Sequence, residues 1–258
     1  MQELTVVKIG GNVVDNPTLL SSFLKEFALI GSPKILVHGG GKIATTISKA
    51  LGIESTMIGG RRVTDERTLD VVTQVYAGLI NKKIVASLQS FGSNSFGLCG
   101  VDGASIISKR RAVEPIDFGF VGDPVVSKFG VSTFTMLLNN GCVPIVAPIT
   151  LSTEGELLNT NADTVAQTVA VALSKIYNVR LIYCFEKKGV LLNVDDENSV
   201  IEAIDFLKFQ ELRAHGVVSE GMLPKLENAF EALKSGVDRV IIRSSSDLLN
   251  GIGTTLFM

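Results

Sequence analysis

The residues of this chain that could do chemistry sit in five short pieces. These are Lys8 in VKIGG, His38 to Gly41 in VHGGG, Arg62 in GRRVT, Asn159 and Asp163 in LNTNAD, and Lys225 in EGMLPKL. The glycine run has the most specific physics. In KILVHGGGKIATTISKALG, Lys34 to Gly52, an apolar segment meets three glycines and a lysine and then enters a helical pattern. Glycines let the backbone approach an anion, and the following helix offers unpaired N–H groups to it. A Walker A loop does not fit, because Leu36 and Ile43 stand where it needs Gly and Ser or Thr. Gly39, Gly41 and Ala44 satisfy the dinucleotide fingerprint, yet the acidic residue expected about twenty positions on is replaced by Gly59, Gly60, Arg61 and Arg62. An anion site is expected, and spacing alone leaves its identity open.

Short β-rich runs alternating with amphipathic stretches must position these pieces. LTVVKIG, NPTLLSSFLKEFALIG, KILVH and KIATTISKALG read as strand, helix, strand, helix, with Asn16 as N-cap, Pro17 at the first helical position and a close at Gly31. From Thr64 to Gly92 a long helical pattern carries Leu69, Val72, Val75, Tyr76, Leu79 and Ile80 on one side. The glycine-dense middle, FGLCGVDGASIISKRRAVEPIDFGFVGDPVVSKFG, reads as hairpins, with Arg110 and Arg111 in a solvated turn. After CVPIVAPI and the turn TEGE, either Asn161 or Asp163 caps a helix apolar at Val165, Val169 and Ala172. VRLIYCF, helices around 205–214 and 220–235, DRVIIRS and a last edge GTTLF complete the alternation. The pattern predicts an α/β fold, a three-layer αβα sandwich with an open, mostly parallel central sheet.

Bulk composition excludes several classes. With 258 residues the chain is long enough for one large domain or two lobes. Twenty-four basic against 26 acidic residues give no polyelectrolyte signal, so neither nucleic acid nor an anionic membrane is expected as a partner. No basic leader precedes the first strand and no apolar run has the length of a membrane span, so a cytoplasmic location is expected. Cys99, Cys142 and Cys184 form no metal or disulfide pattern and read as small buried hydrophobes.

In their order along the chain, the five pieces and the terminal GTTLF resemble the amino acid kinase family over essentially the whole length, and within it the kinases of N-acylated glutamate. The resemblance implies two lobes, residues 1–175 for the acylated amino acid and dimerisation and residues 176–258 for nucleotide. It implies ATP, with Mg²⁺ carried on its phosphates and no protein-held metal, and a homodimer. The reaction would phosphorylate the γ-carboxylate of N-acetyl-L-glutamate or a close analogue, the second step of arginine synthesis. A γ-carboxylate is already ionised at neutral pH, so no general base is needed; the demand is for cations and N–H donors around the transferring group.

By that resemblance Lys8 would hold the transferring oxygens, Lys225 the charge developing on the ADP side, and Asp163 would orient both ammonium groups. Backbone amides of Gly10 and Gly11 and of Gly40 and Gly41 would face the phosphoryl group and the attacking carboxylate. Arg62 would clamp the substrate's α-carboxylate, its place in GRRVT favouring it over Arg61, and Asn159 would bind the amide region. One departure stands out: CFEKKGV puts Glu186, not Asp, at the nucleotide side, followed by Lys187 and Lys188. His38 reads as a packed ring, not a base. Other kinases of the same fold, a non-catalytic sensor and a nicotinamide oxidoreductase are the competing functions. Arginine-sensitive relatives carry an extra helix before the first strand, so MQE alone ahead of Leu4 predicts insensitivity to arginine.

Overall fold

The alternating runs fold as an eight-stranded sheet between two layers of helices. The computed structural model describes residues 1–31, 33–193, 195–215, 222–249 and 251–258. In chain order the strands of the main sheet are β1 (Glu3–Ile9), β2 (Lys34–His38), β3 (Ser95–Cys99), β4 (Val143–Ala147), β5 (Asn178–Phe185), β6 (Ala203–Ile204), β7 (Arg239–Ser244) and β8 (Gly253–Leu256). Their spatial order is β6, β8, β7, β5, β1, β2, β4, β3. Six strands from β7 to β3 run parallel, whereas β8 runs antiparallel to β7 and β6 pairs parallel to β8. The helices are α1 (Gly11–Val14), α2 (Pro17–Leu29), α3 (Gly41–Ala50), α4 (Glu66–Thr73), α5 (Asn81–Ser90), α6 (Val131–Asn139), α7 (Ala162–Leu173), α8 (Phe206–Ala214) and α9 (Leu223–Lys234).

Strand β1 is buried from Leu4 to Ile9, as a strand covered on both faces must be. Alternation sends Leu4 and Val6 into a core with Val165 and Val169 of α7, and Val7 and Ile9 into a second core with Phe23, Phe27 and Val72. Lys8 therefore projects on the α7 side. The chain builds β1 to β4 on one side of the β1–β5 seam and β5 to β8 on the other, so the seam is a topological switch point. The turn between α7 and β5 spans the 175/176 position at which two lobes are expected.

Several local expectations need correction. Ser95–Cys99 is a parallel crossover strand at the sheet edge and not part of a hairpin. Within the glycine-dense middle stretch Ile107–Arg110 and Gly122–Pro124 pair antiparallel, and they join a small sheet with the hairpin of Ile149–Ser152 and Leu157–Asn159. GTTLF is an interior strand, because β6 pairs on its far side. The pair at 110–111 is not a turn: Arg110 ends the strand Ile107–Arg110 and stays exposed while lying over the Phe120 ring at 4.2 Å, and the partly buried Arg111 is ion-paired to Asp123. Between α4 and α5 the long helix passes through a wider π-helical stretch, Gln74–Ile80, which shifts the phase of the stripe and leaves Leu79 38% exposed while its apolar companions are buried. Cys184 is buried but Cys99 and Cys142 are only partly so. The start of the helix expected at 220 lies outside the described residues.

Candidate functional site

The site forms where the carboxyl ends of β1, β2 and β5 meet the small sheet and the N-termini of α3, α7 and α9. The two glycine loops lie side by side. The Gly39 N–H donates to the Ile9 carbonyl at 3.0 Å, and a Cβ on Gly39 would stand 3.5 Å from the Gly11 nitrogen. Gly40 is required by close approach: a Cβ there would lie 2.2 Å from Ile80 Cδ1 and 3.3 Å from Tyr76 Cδ1. The π-helical stretch presses those two side chains against the loop. Gly40, the N-cap of α3, has no side chain to cap the helix, and in its first turn the Ile43 N–H faces the Asp15 carboxylate.

Lys8 sits between Val37 and Tyr183 in the sheet and is 6% exposed. Its ammonium lies 2.6 Å from Asp163 Oδ1. Asn161 is the N-cap of α7, accepting from the Asp163 and Thr164 N–H groups, and this frees the Asp163 side chain for the lysine. The carboxylate is also placed in the first turn, where the helix dipole favours it. Lys225, on the first turn of α9, approaches from across the seam, its Nζ 3.9 Å from the centre of the Phe185 ring. Burial pulls the Lys225 pKa down; Asp163 and Glu186 pull it up and Lys8 pulls it down.

Arg62 is 6% exposed and donates to Ser55 Oγ at 2.7 Å, Thr45 Oγ1 at 2.8 Å and the Gly41 carbonyl at 2.9 Å. All three acceptors are neutral, and among the described residues this buried cation has no carboxylate within ion-pairing distance. A buried charge held this way is a receptor for an anion. Arg61 differs: burial depresses its pKa, Arg111 adds to that and Asp123 opposes it. Asn159 closes the same wall, its Nδ2 donating to Thr64 Oγ1 at 3.0 Å.

Two cavities share this lining. A small one of about 150 Å³ is bounded by Gly39 to Gly41, Arg61, Arg62, Tyr76 and Asn159. A larger one of about 790 Å³ opens next to it, lined by Gly10, Gly11, Lys42, Phe185, Glu186 and Lys225. Gly41 and Arg62 border both. Gly40, Gly41, Arg62 and Asn159 line the small space and Gly10, Gly11, Glu186 and Lys225 the larger one, whereas Lys8 and Asp163 line neither and pair with each other, the Lys8 ammonium lying over the same Phe185 ring as that of Lys225.

His38 is fully buried, and burial holds its pKa down at about 4. Its Nδ1–H donates to the Gly39 carbonyl at 2.9 Å, which leaves Nε2 to accept from Asn81 Nδ2 at 3.2 Å. This neutral ring braces the glycine loop and is no base. Other lining groups are absent from the sequence reading. Asn12 accepts from Lys42 and donates to Glu186, bridging the larger cavity's two sides. Its position after IGG, and that of Lys42 after GGG, could have signalled both. Tyr76 carried no signal, since only the π-helical phase turns it to the cavity.

The arrangement suits transfer of an anionic group between two ligands lodged in adjoining cavities, with Gly41 and Arg62 at their shared border and the Lys225 ammonium on the larger one. Comparisons with known proteins agree. A family model described as the amino acid kinase family matches residues 3–244. An acetylglutamate kinase from Cytophaga hutchinsonii is 52% identical over 96% of this chain and 94% of its own. That of Bacteroides thetaiotaomicron is 49% identical over 99% and 98%. Among solved structures, smu.665 from Streptococcus mutans UA159 is similar with a TM-score of 0.80 and 29% identity, covering 98% of both chains.

Proposed function

The chain belongs to the amino acid kinase family, and from that premise we propose that it transfers the γ-phosphoryl group of ATP to the γ-carboxylate of N-acetyl-L-glutamate. The observation that carries this reading is the meeting of the Lys8–Asp163 pair with Lys225 over the Phe185 ring, which with Lys225 lines the larger cavity. A γ-carboxylate oxygen attacks phosphorus, the new O–P bond forms as the bond to the β,γ-bridging oxygen breaks, and ADP leaves with the electron pair. No proton has to move, which fits a site whose only histidine is held neutral as a brace.

In this proposal the small cavity takes the acylated amino acid. Arg62 clamps its α-carboxylate with a planar fork, and Asn159 meets its amide region. The larger cavity takes the nucleotide, with Glu186 on that side. Glycine amides from Gly10, Gly11, Gly40 and Gly41 and the Lys8 ammonium face the transferring oxygens, and Lys225 meets the charge developing toward ADP. Asp163 pairs with the Lys8 ammonium and acts on Lys225 only through its field. Among the described residues no cluster of three His, Cys, Asp or Glu side chains forms a metal cage; Mg²⁺ enters as part of the nucleotide substrate, bound to its phosphates. Residues 1–175 form the acceptor lobe and 176–258 the nucleotide lobe.

The biosynthetic role that follows is the second step of arginine synthesis, in the cytoplasm; among the described residues no helix is long and apolar enough to cross a membrane. A homodimer through the first lobe belongs to the same proposal. Its support is the open edge of β3 with Phe96 50% exposed, together with Leu79 on the long helix. Light scattering at micromolar concentration should give twice the chain mass.

The deciding assay offers a panel of N-acyl glutamates with ATP and Mg²⁺ and traps the acyl-phosphate with hydroxylamine. Product with N-acetylglutamate is expected, with kcat lowered about a hundredfold in Lys8→Ala. No hydroxamate from any member of the panel would refute the function.

A further inference from the structure

The segment CFEKKGV departs from the family pattern at the end of β5, and the residue ahead of Glu186 has no part in the chemistry above. That residue, Phe185, forms the floor under both active-site ammonium groups. Its ring centre lies 3.9 Å from Lys225 Nζ and 5.6 Å from Lys8 Nζ. Strand alternation puts it on the same face as Tyr183, against whose ring it stacks at 6.1 Å and 13°. Tyr183 is itself buried, and its hydroxyl donates to the Asp163 carbonyl at 3.4 Å. The ring is therefore backed by a fixed neighbour.

The two lysines differ in what holds them. Lys8 has the Asp163 carboxylate at 2.6 Å. Among the described residues Lys225 has no carboxylate within ion-pairing distance, and a like charge on Lys8 acts against its own. A lysine side chain on four rotatable bonds keeps no fixed place without a contact that favours one. The negative face of an aromatic ring supplies such a contact, and more strongly at a half-buried site than in water.

The geometry points to Phe185 as a positioning residue for phosphoryl transfer: its ring face holds the Lys225 ammonium at the mouth of the nucleotide cavity, so that the triphosphate meets a cation already placed. This rests on the catalytic role given to Lys225 above. The ring acts through that lysine and makes no contact with the reacting atoms.

The test compares the full-length wild type with Phe185→Leu, Phe185→Tyr and mono-, di- and trifluorinated phenylalanine incorporated at position 185. Leucine keeps an apolar side chain without a π face, tyrosine keeps the face, and fluorine drains it stepwise at nearly constant shape. Expected are a loss in kcat/KM for ATP of about tenfold in the leucine variant, near-normal values with tyrosine, and a steady fall along the fluorine series. KM for the acylglutamate and the melting temperature should stay close to wild type along that series. In a Lys225→Met background the leucine change should have no further effect, as a double-mutant cycle requires of groups acting through one another. A flat fluorine series, with Lys225→Met still crippling, overturns the role of the ring alone. Undiminished activity in Lys225→Met removes the catalytic role of that lysine and this inference with it.

Discussion

Replacing Asp163 by asparagine keeps the shape of the side chain and deletes only its charge. The carboxylate holds Lys8 at 2.6 Å with side-chain exposures of 8% for the lysine and 26% for the aspartate. Removing one partner of a buried pair costs about 3–5 kcal/mol. Asp163 keeps some contact with solvent, and the asparagine oxygen still accepts a hydrogen bond, which lowers the expected loss of stability to about 2 kcal/mol. For a chain of this size that corresponds to a drop in Tm of roughly 4–8 °C. The catalytic effect should be larger, because Lys8 loses the charge that aims it and Lys225 a charge that favours its protonated form; a fall in kcat of about a hundredfold is expected, close to 2.7 kcal/mol. The same carboxylate raises the Lys225 pKa, so its removal lets that pKa fall further. The basic limb of the kcat profile, where Lys225 loses its proton, should move to lower pH. Thermal unfolding, initial rates with trapped acyl-phosphate and a pH–rate series measure the three effects. A variant that loses the stability but keeps kcat within threefold, with an unmoved basic limb, would refute the reasoning and leave the pair a structural feature only.

Arg62→Lys trades a fork with three neutral protein acceptors for a point charge, so KM for the acylglutamate should rise at least tenfold while KM for ATP stays near wild type; the reverse pattern in initial-rate kinetics would remove Arg62 from the acceptor site. Gly40→Ala drives a methyl into Ile80 Cδ1. It should weaken acceptor binding and lower Tm, and adding Ile80→Val, which deletes that carbon, should restore part of both; no recovery in the double variant would put the cost in backbone strain instead. The His38 pKa is held at about 4 against an ordinary 6.5, so the unfolded chain binds the proton first and stability falls as pH drops from 6.5 toward 4, by about 3 kcal/mol in all. Urea unfolding should show this loss in the wild type and much less of it in His38→Gln.

Local physics made much of the fold legible in the sequence. Asn16 and Pro17 start a helix because a cap and a fixed φ act within one turn, and they do so in the structure. Buried strands read as continuous apolar runs, so β1, β2 and β5 stand out, and Lys8 stands out as the charge that breaks the first. The glycine loops announce an anion site by chemistry that needs no partner. Three matters lay beyond the sequence. Whether Asn161 or Asp163 capped α7 was decided by Lys8, 155 positions earlier in the chain, since the aspartate is drawn to a cation that only sheet pairing brings near. Arg61 and Arg62 are the same chemistry one residue apart, and only the two-residue strand they form turns Arg62 inward to Gly41, Ser55 and Thr45. GTTLF became an interior strand because β6 pairs beyond it, and edge or centre is a property of neighbours in space. The floor under the lysines belongs with these: Phe185 reads as one more apolar residue of a strand until α9, packed beside α7 and β7, sets a cation over its ring.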